Sequence, residues 1–152
     1  MKMGKVVEIR CSVKKGSPKK KLKVANFIQG FGLEGDLHAG KDGRQVSFMG
    51  IETFRVIQKS EVKGYCTNKF VENITTENIE LWNLTVGTEL KIGETIMRVT
   101  KVGKECFRGC PVREQEGSCI MLNQVVFANV LQGGKIKIGD SIKILKPSEV
   151  FA

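Results

Sequence analysis

Apolar and polar residues alternate near the start of the chain, with Val7, Ile9, Cys11 and Val13 set against Glu8, Arg10 and Ser12. A period of two predicts a strand with one buried face. Gly16 and Pro18 break the pattern, and Val24–Ile28 predicts a second strand. Glycines at 30, 32, 35, 40 and 43 then exclude any periodic element and predict a loop of specific backbone shape. Arg44–Met49 returns to strand. Ile51, Phe54, Val56 and Ile57 fall near helical spacing, which predicts a short amphipathic helix over Ile51–Val62. Phe70–Ile79 is rich in β-branched residues and reads as strand.

Lys91–Val99 and Lys137–Leu145 echo each other, each as strand, Gly-acid turn, strand. The glycine supplies the unusual dihedral, and the acid can bond local backbone. Val125–Leu131, stopped by Gly133-Gly134, predicts a short helix. Many short strands with few helices predict a mainly β (β-rich α+β) fold, a closed or partly closed β-barrel. Residues 1–146 read as a single domain and 147–152 as a short C-terminal tail.

Composition narrows the class. The 152 residues are 41% hydrophobic and 27% charged, as in a globular domain with a real core. No apolar run approaches membrane-spanning length, and the first residues carry no secretory h-region. Five cysteines, an odd number, predict thiols in a reducing, cytoplasmic setting rather than a disulfide framework. The net charge is +9, and six lysines lie between Lys14 and Lys23. That run reads as a solvated loop. Its alternative, a patch for RNA, lacks interleaved aromatics on which bases would stack.

Three segments carry candidate chemistry. Cys106, Cys110 and Cys119 fall within fourteen residues, with Arg108 and Arg113 among them. Cations lower a thiol's pKa, so thiolate chemistry is the first reading. The spacing C-x3-C-x8-C matches no common zinc or iron–sulfur pattern, yet a structural or regulatory zinc or iron site on the three thiols stands as an alternative. In the glycine-rich loop, Asp36 precedes the chain's one histidine, His38, by two residues, with Lys41 and Arg44 following. A histidine beside a carboxylate can serve as an oriented acid, base or ligand. The third segment, Glu72-Asn73-Ile74-Thr75-Thr76, presents amide and hydroxyl groups to a polar ligand. No phosphate-binding P-loop or G-x-S-x-G elbow is present.

In order along the chain, these segments resemble the MOSC family, the domain named from the C-terminal part of molybdenum cofactor sulfurase. Gly32–Val46, G-L-E-G-D-L-H-A-G-K-D-G-R-Q-V, is similar to the family's G-x-x-G-D-x-H-x-G followed by an R-Q-V strand. Phe70–Ile79, F-V-E-N-I-T-T-E-N-I, resembles its F-G-E-N-[IL]-T-T-x-G-[IL]. V-G-T-E-L-K-I-G resembles the next hairpin, and Cys106 falls where the family's characteristic cysteine stands. Val71 and Asn78 replace common glycines, so either the backbone differs there or Asn78 itself takes the left-handed region. Cys110 and Cys119 go beyond the minimal pattern, as in small stand-alone members.

The resemblance implies a barrel like the β-barrel domain of pyruvate kinase. It also implies a role around the molybdenum cofactor (molybdopterin): holding it, or carrying sulfur for it, with links to cofactor sulfuration or to reduction of N-hydroxylated compounds. Cys106 would then be the molybdenum ligand or persulfide carrier and His38 its catalytic companion. Asp36, Arg44, Asn73, Thr75 and Arg108 would hold the cofactor. The family is also associated with pyridoxal phosphate, for which the sequence shows no lysine context suited to a Schiff base. The chain lacks flavin, haem and dinucleotide fingerprints, so the expected partners are cofactor-biosynthesis or molybdoenzyme proteins and an external electron or sulfur donor. Neither a membrane nor a nucleic acid is expected as a partner.

Overall fold

The structure, a computed structural model, describes residues 4–13, 19–37, 39–41, 43–53, 55, 72–103 and 125–146. The eleven strands within them account for the mainly β fold expected from the alternation. Strand β1 is Gly4–Cys11, β2 Lys20–Leu22, β3 Val24–Ile28, β4 Gly32–Leu33 and β5 Val46–Gly50. Then follow β6 Ile74–Glu77, a 3-10 turn at Leu81–Asn83, β7 Glu89–Ile92 and β8 Thr95–Val102. The series ends with β9 Val125–Gln132, β10 Gly134–Lys137 and β11 Ser141–Lys146.

Seven strands hydrogen-bond in the ring β11-β7-β8-β9-β5-β6-β1, and β1 pairs back to β11 through Gly4 with Ile142. The barrel is therefore closed, and only its β5–β6 pair is parallel. Closure removes the free edges that an open sheet would expose. Strand β2 hangs on the far end of β1, with Arg10 opposite Lys21. A second sheet, β10-β3-β4, packs beside the ring. Val6, Ile9, Phe27, Phe48, Ile74, Leu90, Ile92, Met97 and Val126 are among the side chains that fill one continuous core.

Several sequence expectations change. Val125–Leu131 is not a helix but the core of β9, paired to both β5 and β8. Its residues are buried on both faces, so a continuous apolar run with glycine behind it imitates a helix. The lysine run is not simply a solvated loop, because Lys20–Leu22 is a strand and Lys19 is half-buried. The first echo is a true hairpin, β7 to β8, with Gly93 at φ 55°. The second is a corner: β10 pairs with β3 while β11 crosses into the barrel. Asp140 holds that corner, its carboxylate accepting the Lys137 N–H at 2.7 Å.

Of the two alternatives at the replaced glycine, Asn78 takes the left-handed region, with φ 61°. Residues 51–53 and 55 are helical, and the rest of the expected 51–62 helix lies outside the described residues, as does the tail. Among the described residues, no helix is long and apolar enough to cross a membrane.

Candidate functional site

The end of β1 is where the glycine-rich loop and the 72–76 segment meet. Leu37 donates its N–H to the Ser12 carbonyl at 2.6 Å, and Ser12 returns its N–H to Asp36 Oδ1 at 2.6 Å. This reciprocal pair pins the loop onto β1. On the other edge of β1, Arg10 donates its N–H to the Asn73 carbonyl at 2.7 Å. The two motif segments, 37 residues apart from Asp36 to Asn73 (73 − 36), thus share one strand end.

Around that end lies a cluster of charge. Arg10 pairs with Glu8, donates from Nη1 to Thr75 Oγ1 at 2.7 Å, and stands 3.6 Å from Glu72. Thr75 in turn donates its hydroxyl to Glu72 Oε2 at 2.7 Å. Glu72 and Thr75 are buried, which a carboxylate tolerates only when paired and hydrogen-bonded. Glu8, Arg10 and Thr75 share the face opposite the core residues Ile9 and Ile74, since Glu8 pairs with Thr75 and Ile9 with Ile74 in the β1–β6 ladder. Lys21 adds a second partner for Glu8 at 3.5 Å.

Lys19 completes the group. Burial pushes its ammonium below the usual lysine range; Asp36 and Glu72 pull it back up, and Arg10 adds to the fall. Beside it, burial pushes the Cys11 thiol up, with Asp36 raising it further and Lys19 and Lys20 opposing. Cys11 is therefore a neutral thiol at ordinary pH, packed into the core. Asp36 is only 6% exposed, and its Oδ2 is buried without a hydrogen-bond partner.

Asn73 is committed to the framework. Its Oδ1 accepts from the Ser47 N–H at 3.0 Å and the Ser47 hydroxyl at 3.1 Å, while its Nδ2 donates to the Arg10 carbonyl at 3.1 Å. One side chain thus bridges β1 and β5 across the arriving β6. Arg44 points elsewhere: its guanidinium stacks 5.2 Å from the Phe127 ring centroid. The backbone beside it is fixed by Gly43, which donates to Asn129 Oδ1 at 2.9 Å. An open cleft of about 400 Å³ lies nearby; the described residues that line it, Gln29, Gly30, Gly40, Gln45, Asn129, Val130 and Leu131, carry no charge.

The expected site residues therefore divide. Asp36, Asn73 and Thr75 converge on the end of β1, and Arg44 lies over β9. His38, Cys106 and Arg108 lie outside the described residues, as do Cys110 and Cys119. Among the described residues, no group of three or more His, Cys, Asp or Glu side chains is arranged for a metal ion. Sequence reading missed Arg10, Lys19 and Cys11, and named Glu72 only as part of the 72–76 segment. The signal for Arg10 was its place two residues from Glu8 on one face of β1. Lys19 gave none, hidden in a run of lysines.

No protein-family model matches the sequence, and no curated protein matches it. Solved structures do. The YuaD protein from Bacillus subtilis is 16% identical with a TM-score of 0.64, over 93% of this chain and 96% of its own. YiiM from Geobacillus stearothermophilus is 14% identical with a TM-score of 0.67, over 94% of this chain and 75% of its own. YiiM from Escherichia coli is 15% identical with a TM-score of 0.61, over 98% and 72%. At these identities the likeness extends to the fold alone: the chain shares the fold of these proteins.

Proposed function

We propose that this chain is a molybdenum-cofactor-related domain that binds the cofactor or carries sulfur for it, with Cys106 as metal ligand or persulfide carrier. The observation that supports the reading most is the convergence of Asp36 and the 72–75 segment on the end of β1. Both motifs of the MOSC resemblance contribute there to one buried charged cluster.

The described residues fit such a group. Asp36 Oδ2 is a buried acceptor awaiting a donor, and a pterin presents N–H groups. Arg10 and Lys19 supply positive charge for an anionic cofactor, tempered by Glu8 and Glu72. Cys11 is packed into the hydrophobic core, and by the resemblance the soft thiolate falls to Cys106. When bound, the cofactor would supply redox and atom-transfer chemistry at molybdenum. The protein's part is to orient and to exclude water: the Ser12–Leu37 pair holds Asp36, and Arg10 and Glu72 hold Thr75. His38 would hold or move a proton, in a loop whose neighbours Leu37 and Ala39 are bonded to Ser12 and Asp36. Electrons or sulfur would come from a separate partner protein.

Native mass spectrometry of protein purified without oxygen tests this reading. A pterin–molybdenum adduct, or added sulfur, is expected on the wild type and absent from Cys106→Ser. An unmodified wild-type mass, or retention unchanged in the variant, removes the assignment. Zinc or iron at one per chain without pterin fluorescence would favour a metal site on Cys106, Cys110 and Cys119 instead.

A further inference from the structure

Buried carboxylate oxygens are almost always met by donors, so one that is not points to a group supplied from outside. Asp36 is 6% exposed, and its Oδ2 has no partner. Its Oδ1 is fixed by the Ser12 N–H at 2.6 Å, and Ser12 is fixed by the Leu37 N–H, so the carboxyl plane is set before any ligand arrives. We propose that Asp36 is the recognition carboxylate for a 2-aminopyrimidinone edge, the paired exocyclic amino group and ring N–H carried by a pterin or a guanine. Where the ring is the cofactor's pterin, the inference rests on the reading above.

Charge and valence select that edge. A carboxylate offers about four lone-pair sites, and here one is occupied, so both oxygens remain able to accept from a two-pronged donor. A free cation would fill Oδ2 equally well in isolation. It would, however, face Lys19, whose charge is felt at Asp36, with Arg10 beyond it. A neutral N–H fork carries no such repulsion. Gly35, immediately before Asp36, has a φ of +83° and nothing within 4 Å of where a Cβ would stand, so the backbone beside Asp36 is not packed against on that side. Glu72, the other buried carboxylate of the cluster, is already taken by Thr75 and Arg10.

The test measures binding of 6-hydroxymethylpterin, guanosine and 6-hydroxymethyllumazine to the full chain by fluorescence quenching and calorimetry. Lumazine replaces the 2-amino group by an oxo group and so turns a donor towards Asp36 into an acceptor. The expected result is at least about 10-fold tighter binding of pterin than of lumazine, the loss appropriate to one charge-assisted hydrogen bond. In Asp36→Asn the preference is expected to collapse to within about 3-fold at the same signal. Because the pterin–lumazine comparison needs no variant, it stands even if Asp36→Asn folds poorly.

Equal affinity for pterin and lumazine in the wild type, or no binding of either pterin or guanosine, overturns the inference. A selectivity that survives Asp36→Asn overturns it as well. Selective binding of guanosine alone supports the carboxylate's role and makes a nucleotide the source of the ring. In that case the mass-spectrometric search for a molybdenum adduct fails while this experiment succeeds, so the two failures are distinguishable.

Discussion

Replacing Asn73 by alanine should unfasten the barrel more than any loss of a ligand contact would. The asparagine is 4% exposed and makes three side-chain bonds, two accepted from Ser47 and one donated to the Arg10 carbonyl. Alanine leaves the Ser47 N–H, the Ser47 hydroxyl and the Arg10 carbonyl short of a partner. Each buried group left unsatisfied costs about 1–3 kcal/mol, so the three together cost about 3 kcal/mol or more. Single domains have only about 5–15 kcal/mol in total. For a chain of this length the melting temperature should fall by about 10 °C.

Ser47→Ala should cost much less, about 1 kcal/mol, because the Asn73 N–H keeps the Ser47 carbonyl at 3.1 Å when it loses Oγ at 3.0 Å. Urea unfolding followed by circular dichroism gives both values. The double variant should show a coupling above about 0.5 kcal/mol, as residues in one network do. A cost below about 1 kcal/mol for Asn73→Ala would refute the bracing role. If pterin affinity then fell instead, Asn73 would be a ligand-facing residue.

Two further outcomes follow from the same geometry. Gly32→Ala should destabilise by about 2 kcal/mol or more, because its Cβ would lie 2.6 Å from the Gln45 carbonyl oxygen at a φ of +124°; thermal melts decide it, and a neutral substitution would mean that the Gly32–Gln45 approach is looser than described. The alkaline limb of stability should be a contest between two groups. The folded Cys11 holds its proton more tightly than the unfolded chain does, so stability falls as the pH rises above about 8.5; the folded Lys19 holds its proton less tightly, so stability rises with pH up to about 10.4. Cys11→Ala should therefore gain stability relative to wild type as the pH rises between those limits, and Lys19→Met should lose it. Parallel curves for all three in urea titrations would contradict both shifts.

Strands buried on one face were legible by their period, while β5, buried throughout, was legible only as a short run after the glycine-rich loop. Alternation marked β1, and β3 carries the pattern exposed–buried–exposed–buried–exposed. Strand β9 was not legible, since Val125, Val126, Phe127 and Ala128 are all buried and a two-sided strand has no period to read. The barrel's closure was legible only as a class: many short strands predict a ring, but which strand meets which is a long-range matter that local pattern does not encode.

The site divides similarly. Asp36, Asn73 and Thr75 stood out by their company of glycine, asparagine and threonine. Their organiser did not, because Arg10 looked like one more solvent-facing position on an alternating strand. Its burial comes from segments that reach it only in three dimensions, with Thr75 65 positions away. Asn73 was identified by residue type but not by task, since an amide that reads a ligand and an amide that braces two strands look alike in a sequence.

The pairing of β1 with β11 has a consequence for how the molecule is made. The ring is sealed by Gly4 meeting Ile142 and Lys5 meeting Ser141, the first strand against the last among the described residues. During vectorial synthesis the early strands emerge with one edge of β1 waiting, and no intermediate length of chain can satisfy it. Loop closure over such a span is slow and contributes nothing until the final contacts form. Until β11 leaves the ribosome, the nascent chain therefore presents an open apolar sheet, and the cell must shield that sheet rather than a finished domain.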